Sequence, residues 1–136
     1  MSYALRMLET YPGDFGFDAA QLAAAIEALH DCAQACTACA DACLAEPQVA
    51  DLVACIRLNL DCADVCATTA RALSRQTEYK PELARALLEA CVIACRACGD
   101  MCAHHGEMGM EHCAVCAEAC RRCAEACEAL LAKASV

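Results

Sequence analysis

Cysteine recurs along this chain on a ruler of threes and fours. Cys32, Cys36, Cys39 and Cys43 are spaced 4, 3, 4, and Cys91, Cys95, Cys98 and Cys102 repeat that spacing. Cys113, Cys116, Cys120, Cys123 and Cys127 run 3, 4, 3, 4, while Cys55, Cys62 and Cys66 fit the same ruler if Asn59 fills the missing step. Alternating threes and fours place residues along one stripe of an α-helix. Each segment is Ala-rich with charged residues between the cysteines, which suits a helix with one inward face. The stripe also extends through apolar positions: Leu29, Ala25 and Leu22 in the first segment, Leu52 and Leu73 in the second, Leu88 and Ala84 in the third, Leu130 in the fourth. Four in-register stripes predict an all-α fold, an antiparallel four-helix bundle with a cysteine-lined core.

Local signals set the expected boundaries. Asp18, with Gln21 three residues later, reads as an N-cap and capping partner opening a helix over 19–44. Pro47 suits the first turn of a helix over 48–74, and Pro81 opens a third over 81–103. The glycines in His104-His-Gly-Glu-Met-Gly109 read as a loop, followed by a fourth helix over 110–132. The bundle thus occupies 19–136. Residues 1–18, with Pro12, Gly13 and Gly16, form a separate N-terminal segment expected to hold a short helix and to cap the bundle. Short connections make neighbouring helices antiparallel. One end of the rod then collects Met101, His104, His105, Met108, Met110 and His112, and the other collects Leu22, Leu73, Leu87, Leu88, Leu130 and Leu131.

Composition bears on what the cysteines are for. They number 16 in 136 residues, about 12%, a level usually read as a disulfide scaffold. Position argues against that. Residues three or four apart on a helix have Cβ atoms about 5–6 Å apart, too far for a disulfide, and stacked thiols define no unique connectivity. The N-terminal MSYALRMLETYPGDFG shows no basic region followed by an apolar one. The expected compartment is therefore the cytoplasm, where thiols stay reduced. No apolar run is long enough to suggest a membrane span. A net charge of −9 makes nucleic acid an unsuitable partner. No nucleophile, base and orienting group assemble from these residues, so no enzyme is expected.

A small hydrophobe such as cysteine can fill tight helix contacts, but that does not explain its occupying nearly every inward step of four helices. Metal ligation does. The C-x3-C-x2-C triplets, for example Cys32-Cys36-Cys39, leave an iron–sulfur electron carrier open, although cluster triplets usually lie on loops that can wrap a cubane. Sets of four thiols could hold tetrahedral Zn(II), leaving a zinc–thiolate store open as well. Cu(I) suits the pattern better. It is soft, accepts two or three thiolates, and its single charge nearly balances one or two of them in a buried core.

The segments CAQACTACADAC, CIRLNLDCADVC, CVIACRACGDMC and CAVCAEACRRCAEAC resemble those of the cytosolic copper storage proteins of bacteria, over nearly the whole chain after Asp18. The resemblance implies a four-helix bundle binding multiple Cu(I) ions through inward cysteines, protecting the cell against copper toxicity and assembling as a homotetramer. It also implies admission of copper at the His/Met end, with delivery by a copper chaperone as a further expectation. His105 continues the third stripe after Cys98 and Cys102 and is the best candidate for a non-thiolate ligand. His104, His112 and Met101 are further candidates at that mouth, with Met108 and Met110 offering weak thioethers. Asn59 interrupts the second stripe between Cys55 and Cys62.

Overall fold

The structure, a computed structural model, describes residues 2–134. It contains a short helix α1 (Ala4–Glu9) and four long ones: α2 (Ala19–Leu44), α3 (Val53–Leu73), α4 (Pro81–Glu107) and α5 (Glu111–Ala134), with no strand among the described residues. The long helices form an antiparallel ring in which α2 packs on α3, α3 on α4, α4 on α5 and α5 back on α2. No helix among the described residues is long and apolar enough to cross a membrane.

The ruler is the inward face. All the cysteines are buried, and so are Leu22, Ala25, Leu29, Leu52, Leu73, Ala84, Leu88 and Leu130. Leu22, Leu29, Leu73, Leu88 and Leu130 close one end of the rod, Leu52 lies at the other where α3 begins, and α1 lies across the plugged end with Leu8 buried. Tyr11 meets Thr77 at 2.9 Å, and Phe17 packs edge-on against Tyr79, so the N-terminal segment is tied to the α3–α4 connection. Asp18 caps α2, its Oδ2 accepting from the Gln21 N–H at 2.9 Å. The reciprocal half of the box is not made, because Gln21 Oε1 is buried without a partner.

Two expected boundaries are corrected. Residues 104–107 are helical, so α4 runs on to Glu107 past the expected end at 103. Gly106 does not break the helix; it lets α4 approach α5, since a Cβ there would lie 3.0 Å from Ala114 Cα. The stop is Gly109, at φ +100°, in a Schellman arrangement: the Met110 N–H donates to His105 O at 3.2 Å and the Gly109 N–H to Gly106 O at 3.1 Å. At the other correction, Pro47 lies in a turn rather than in the first turn of a helix. A 3-10 turn over Val49–Leu52 precedes α3, whose α-helical bonds begin at Val53.

Candidate metal centre

The ruler sets the geometry of the core. Residues three to four apart rise about 5 Å along a helix, so each step contributes one thiol per helix to successive layers. On one helix, Cys32 and Cys36 have Sγ atoms 3.8 Å apart, and Cys62–Cys66 and Cys98–Cys102 are each 3.9 Å apart. Across neighbouring helices, Cys36–Cys120 and Cys66–Cys95 are 3.6 Å, and Cys39–Cys113 is 3.7 Å. The diagonals close as well, with Cys32–Cys95 at 3.8 Å and Cys66–Cys123 at 4.0 Å. No cysteine is in a disulfide.

These contacts resolve into groups that could each hold a metal ion. Five of them, from the inner part of the core outward, are Cys32, Cys62, Cys66 and Cys95; Cys32, Cys36, Cys62 and Cys120; Cys36, Cys98, Cys116 and Cys120; Cys39, Cys102 and Cys116; and, at the mouth, Cys39, Cys43, His112 and Cys113. Each of these five shares at least one thiol with the next. The sites are therefore one connected sulfur array rather than separate centres.

Polar side chains fill two steps of the ruler. Asn59 is fully buried. Its Nδ2 donates to the Cys55 carbonyl at 2.8 Å, which fixes the amide, and Oδ1 then accepts from the thiols of Cys116 at 3.1 Å and Cys98 at 3.4 Å. Thr69, also buried, donates to Val65 O at 2.8 Å and accepts from Cys91 Sγ at 3.0 Å, at the boundary with the leucine plug. Cys55 and Cys127, at the two ends of the array, are buried with the others.

Proximity couples the thiols. Hydrogen bonds from Cys127 and Cys66, with a contribution from Thr69, hold Cys91 down to about 4. Cys32 and Cys62 are lowered, chiefly by hydrogen bonding with Cys120, and Cys116 is lowered chiefly by Cys102. Cys120 moves the opposite way, raised by Cys116 and other neighbours, and burial adds to it. Nearer the mouth, burial pushes Cys113 up to about 12. Thiolates crowded in a low-dielectric core lose hydration and repel one another, and bound cations would relieve both.

The histidines separate. His112 belongs to the mouth group, with Nδ1 at 3.4 Å from Cys39 Sγ and 3.6 Å from Cys113 Sγ, and Nε2 at 3.1 Å from Glu46 Oε2. His105 lies on α4 one turn beyond Cys102, half-buried, with Nδ1 buried and without a hydrogen-bond partner. His104 is exposed, its ring tilted against that of His105. Met101 is half-buried and packs against the core, Met110 is buried, and Met108 points to solvent. Asn59 and Thr69 escaped the sequence as site residues, although both stand on the ruler. Nothing in the sequence marked Glu46.

Comparison with known proteins agrees with this geometry. A family model described as copper storage protein matches residues 18–132. A copper storage protein from Streptomyces lividans, Ccsp, in a structure loaded with 10 copper equivalents, is 58% identical; the match covers 95% of this chain and 98% of that one, with a TM-score of 0.92. The same organism's cytosolic copper storage protein with five coppers is 60% identical over 83% of this chain and 93% of that one, with a TM-score of 0.81. An uncharacterized cysteine-rich protein of Bacillus subtilis, YhjQ, is 38% identical over 76 residues, 56% of this chain and 67% of that protein. With a family match spanning nearly all of the bundle and relatives of the same fold at such identity, the chain belongs to the copper storage protein family.

Proposed function

We propose that this protein stores multiple Cu(I) ions in the cytosol, holding them as cargo on the thiols of its bundle core and so limiting copper toxicity. The observation that carries the reading is the connected array, in which consecutive ligand groups share sulfurs. Sγ separations of 3.6 to 4.0 Å suit two sulfurs on one ion. With metal–sulfur bonds of about 2.3 Å, a trigonal or tetrahedral ion places its sulfurs about 3.8–4.0 Å apart. Spacing alone therefore fits zinc too. Sharing favours copper, because bridging thiolates around a divalent tetrahedral ion would each need a closed set of four, whereas Cu(I) is content with two or three.

Capture occurs at the mouth. His112 and the thiols of Cys39, Cys43 and Cys113 form the receiving group, with His105, His104 and Met101 as accessory donors at the same end. From there an ion moves inward by exchanging one sulfur at a time: through Cys102 and Cys116 beside Asn59 Oδ1, on to Cys36, Cys98 and Cys120, and then to Cys32, Cys62, Cys66 and Cys95. Cys123, Cys91 and Cys127 are the innermost stations before the leucine plug, and Cys55 serves the mouth side. Each thiol that binds gives up its proton. The protein acts by binding and release rather than by catalysis. Delivery by a copper chaperone and assembly as a homotetramer complete the reading.

The test is anaerobic titration with Cu(I) against a strong competing chelator. If two thiols serve each ion, the 16 cysteines hold about eight ions or more per chain. Uptake that stops at about four ions or fewer would sink storage, and preferred uptake of Zn(II) under the same competition would move the reading to a zinc store. Sedimentation or light scattering reads the oligomeric state in the same samples.

A further inference from the structure

We propose that Glu46 is a positioning residue for metal capture, its carboxylate orienting the His112 ring so that Nδ1 faces the mouth thiols. The inference rests on the reading of that mouth group as a copper-receiving site. Glu46 Oε2 lies 3.1 Å from His112 Nε2, and Nδ1 of the same ring lies 3.4 Å from Cys39 Sγ. A carboxylate can only accept, so the proton of the neutral ring sits on Nε2 and the lone pair is left on Nδ1, the atom that faces sulfur. Without this partner the neutral ring would be free to carry its proton on Nδ1, which would turn a donor of electrons into an N–H aimed at the thiols.

The carboxylate is itself held in place. The Glu46 N–H donates to Cys43 O at 3.2 Å, and its carbonyl accepts from the Val49 N–H at 3.2 Å. Pro47, next in the chain, restricts Glu46 to extended conformations and stiffens the turn. The two side chains are only 28% and 25% exposed, so the pair is partly shielded from the water that makes open surface pairs weak. Cys43, one of the mouth thiols, sits on the last turn of α2, and its carbonyl is the anchor of that same turn. One short segment thus carries both a mouth thiol and the group that aims the mouth histidine.

Glu46 also bridges the α2–α3 connection to the start of α5, so a purely structural strut is the competing explanation. The test uses full-length protein as wild type, Glu46→Ala and Glu46→Gln. The glutamine keeps an oxygen that accepts from Nε2–H while removing the charge. Two-bond proton–nitrogen correlation on metal-free protein reads the His112 tautomer, and anaerobic stopped-flow reads binding of the first equivalent of Cu(I), presented as its acetonitrile complex. Wild type and Glu46→Gln should both show Nε2–H and load within about twofold of each other. Glu46→Ala should show mixed tautomers and load about tenfold more slowly, with total uptake unchanged. An unchanged tautomer and rate in Glu46→Ala overturns the proposal. Equal slowing in both variants with equal loss of thermal stability also overturns it, in favour of the strut. If wild type takes up few ions, storage fails by itself, while the tautomer comparison still decides what Glu46 does to the ring.

Discussion

Gly106→Ala tests whether the helical glycine at the mouth is there for close approach. Alanine is the better helix former by about 1 kcal/mol, so a glycine inside α4 with space around it would gain stability on substitution. The structure puts three atoms of Ala114 in the way: its Cα and Cβ at 3.0 Å from an added Cβ, and its N at 3.1 Å. Two of the three belong to the backbone of α5 and cannot swing aside. Restoring carbon contacts of about 3.6 Å means parting α4 and α5 by roughly 0.6 Å. Such overpacking costs about 1–3 kcal/mol, and the propensity gain leaves a net loss of about 0–2 kcal/mol. Gly99 is the internal control. It is on the same helix with the same propensity gain, but its added Cβ is tight against one side-chain atom alone, Cys120 Cβ at 3.3 Å, with Ala117 O and Arg121 Cγ at an ordinary 3.8 Å, so a shift of a few tenths of an ångström accommodates it. Guanidinium unfolding of the metal-free proteins, followed by circular dichroism, should rank Gly106→Ala below Gly99→Ala by about 1–2 kcal/mol. At this chain length that is a Tm difference of several degrees. If Gly106→Ala is as stable relative to wild type as Gly99→Ala, close approach to α5 is not the reason for the glycine.

Three other expectations follow from the sulfur array. Cys120 belongs to two ligand groups and Cys127 to neither of them, so Cys120→Ser should lower Cu(I) uptake, measured by elemental analysis after anaerobic loading, by more ions than Cys127→Ser; equal losses would mean the groups fill independently. Asn59→Leu keeps the branched shape but leaves the Cys98 and Cys116 thiols without the Oδ1 acceptor; it should cost about 1–3 kcal/mol of metal-free stability and retain most of the uptake, and a loss of nearly all uptake would make Asn59 central rather than local. Cys113 is raised from an ordinary value near 9 to about 12 in the folded protein. Below pH 9 it is neutral in both states and contributes fully, whereas from pH 9 to 12 only the unfolded chain releases the proton, so the metal-free protein should lose stability as pH rises through that window. Thermal melts of wild type against Cys113→Ala check this, and parallel pH profiles would refute it.

The sequence carried the fold through spacing, because a ruler of threes and fours admits one secondary structure and assigns each residue a side. Its ends were harder to read. Gly106 and Gly109 are the same residue type a few positions apart, yet one lies inside a helix and the other at φ +100° beyond its end. What separates them is the approach of Ala114 from another helix, a tertiary fact that local pattern does not contain. The cysteines were legible for the same reason as the fold, and Asn59 and Thr69 were legible as positions though not as roles. His104, His105 and His112 looked alike in sequence. The structure distinguishes them by helix phase: His104 faces water, while His112 precedes Cys113 and turns toward both Cys39 and Glu46. Glu46 lies 66 residues from His112 along the chain, so only the folded ring brings them together.

The ruler has a consequence beyond burial. A step of three or four residues advances about 5 Å along an axis, but side chains of a helix lean toward its N-terminus, and neighbouring helices here run in opposite directions. Thiols from adjacent helices therefore lean toward one another's layers and interleave. Cys36 accordingly finds Cys98, across the core, at 3.9 Å, Cys32, one turn away on its own helix, at 3.8 Å, and Cys120, on the neighbouring helix, at 3.6 Å. A sulfur with near-equal neighbours along and across the axis cannot belong to one isolated site. On the proposed reading, an ion held by two or three of them has a further sulfur within reach, so it would advance without being released into the low-dielectric core. The array ends where the ruler changes residue type. Thr69 offers a hydroxyl already committed to Val65 O, and the next steps, Leu73, Leu88 and Leu130, offer no donor at all. The same spacing that continues the helices thus turns from thiol to plug, and on the proposed reading the residue type at each step would set how far into the rod the metal goes.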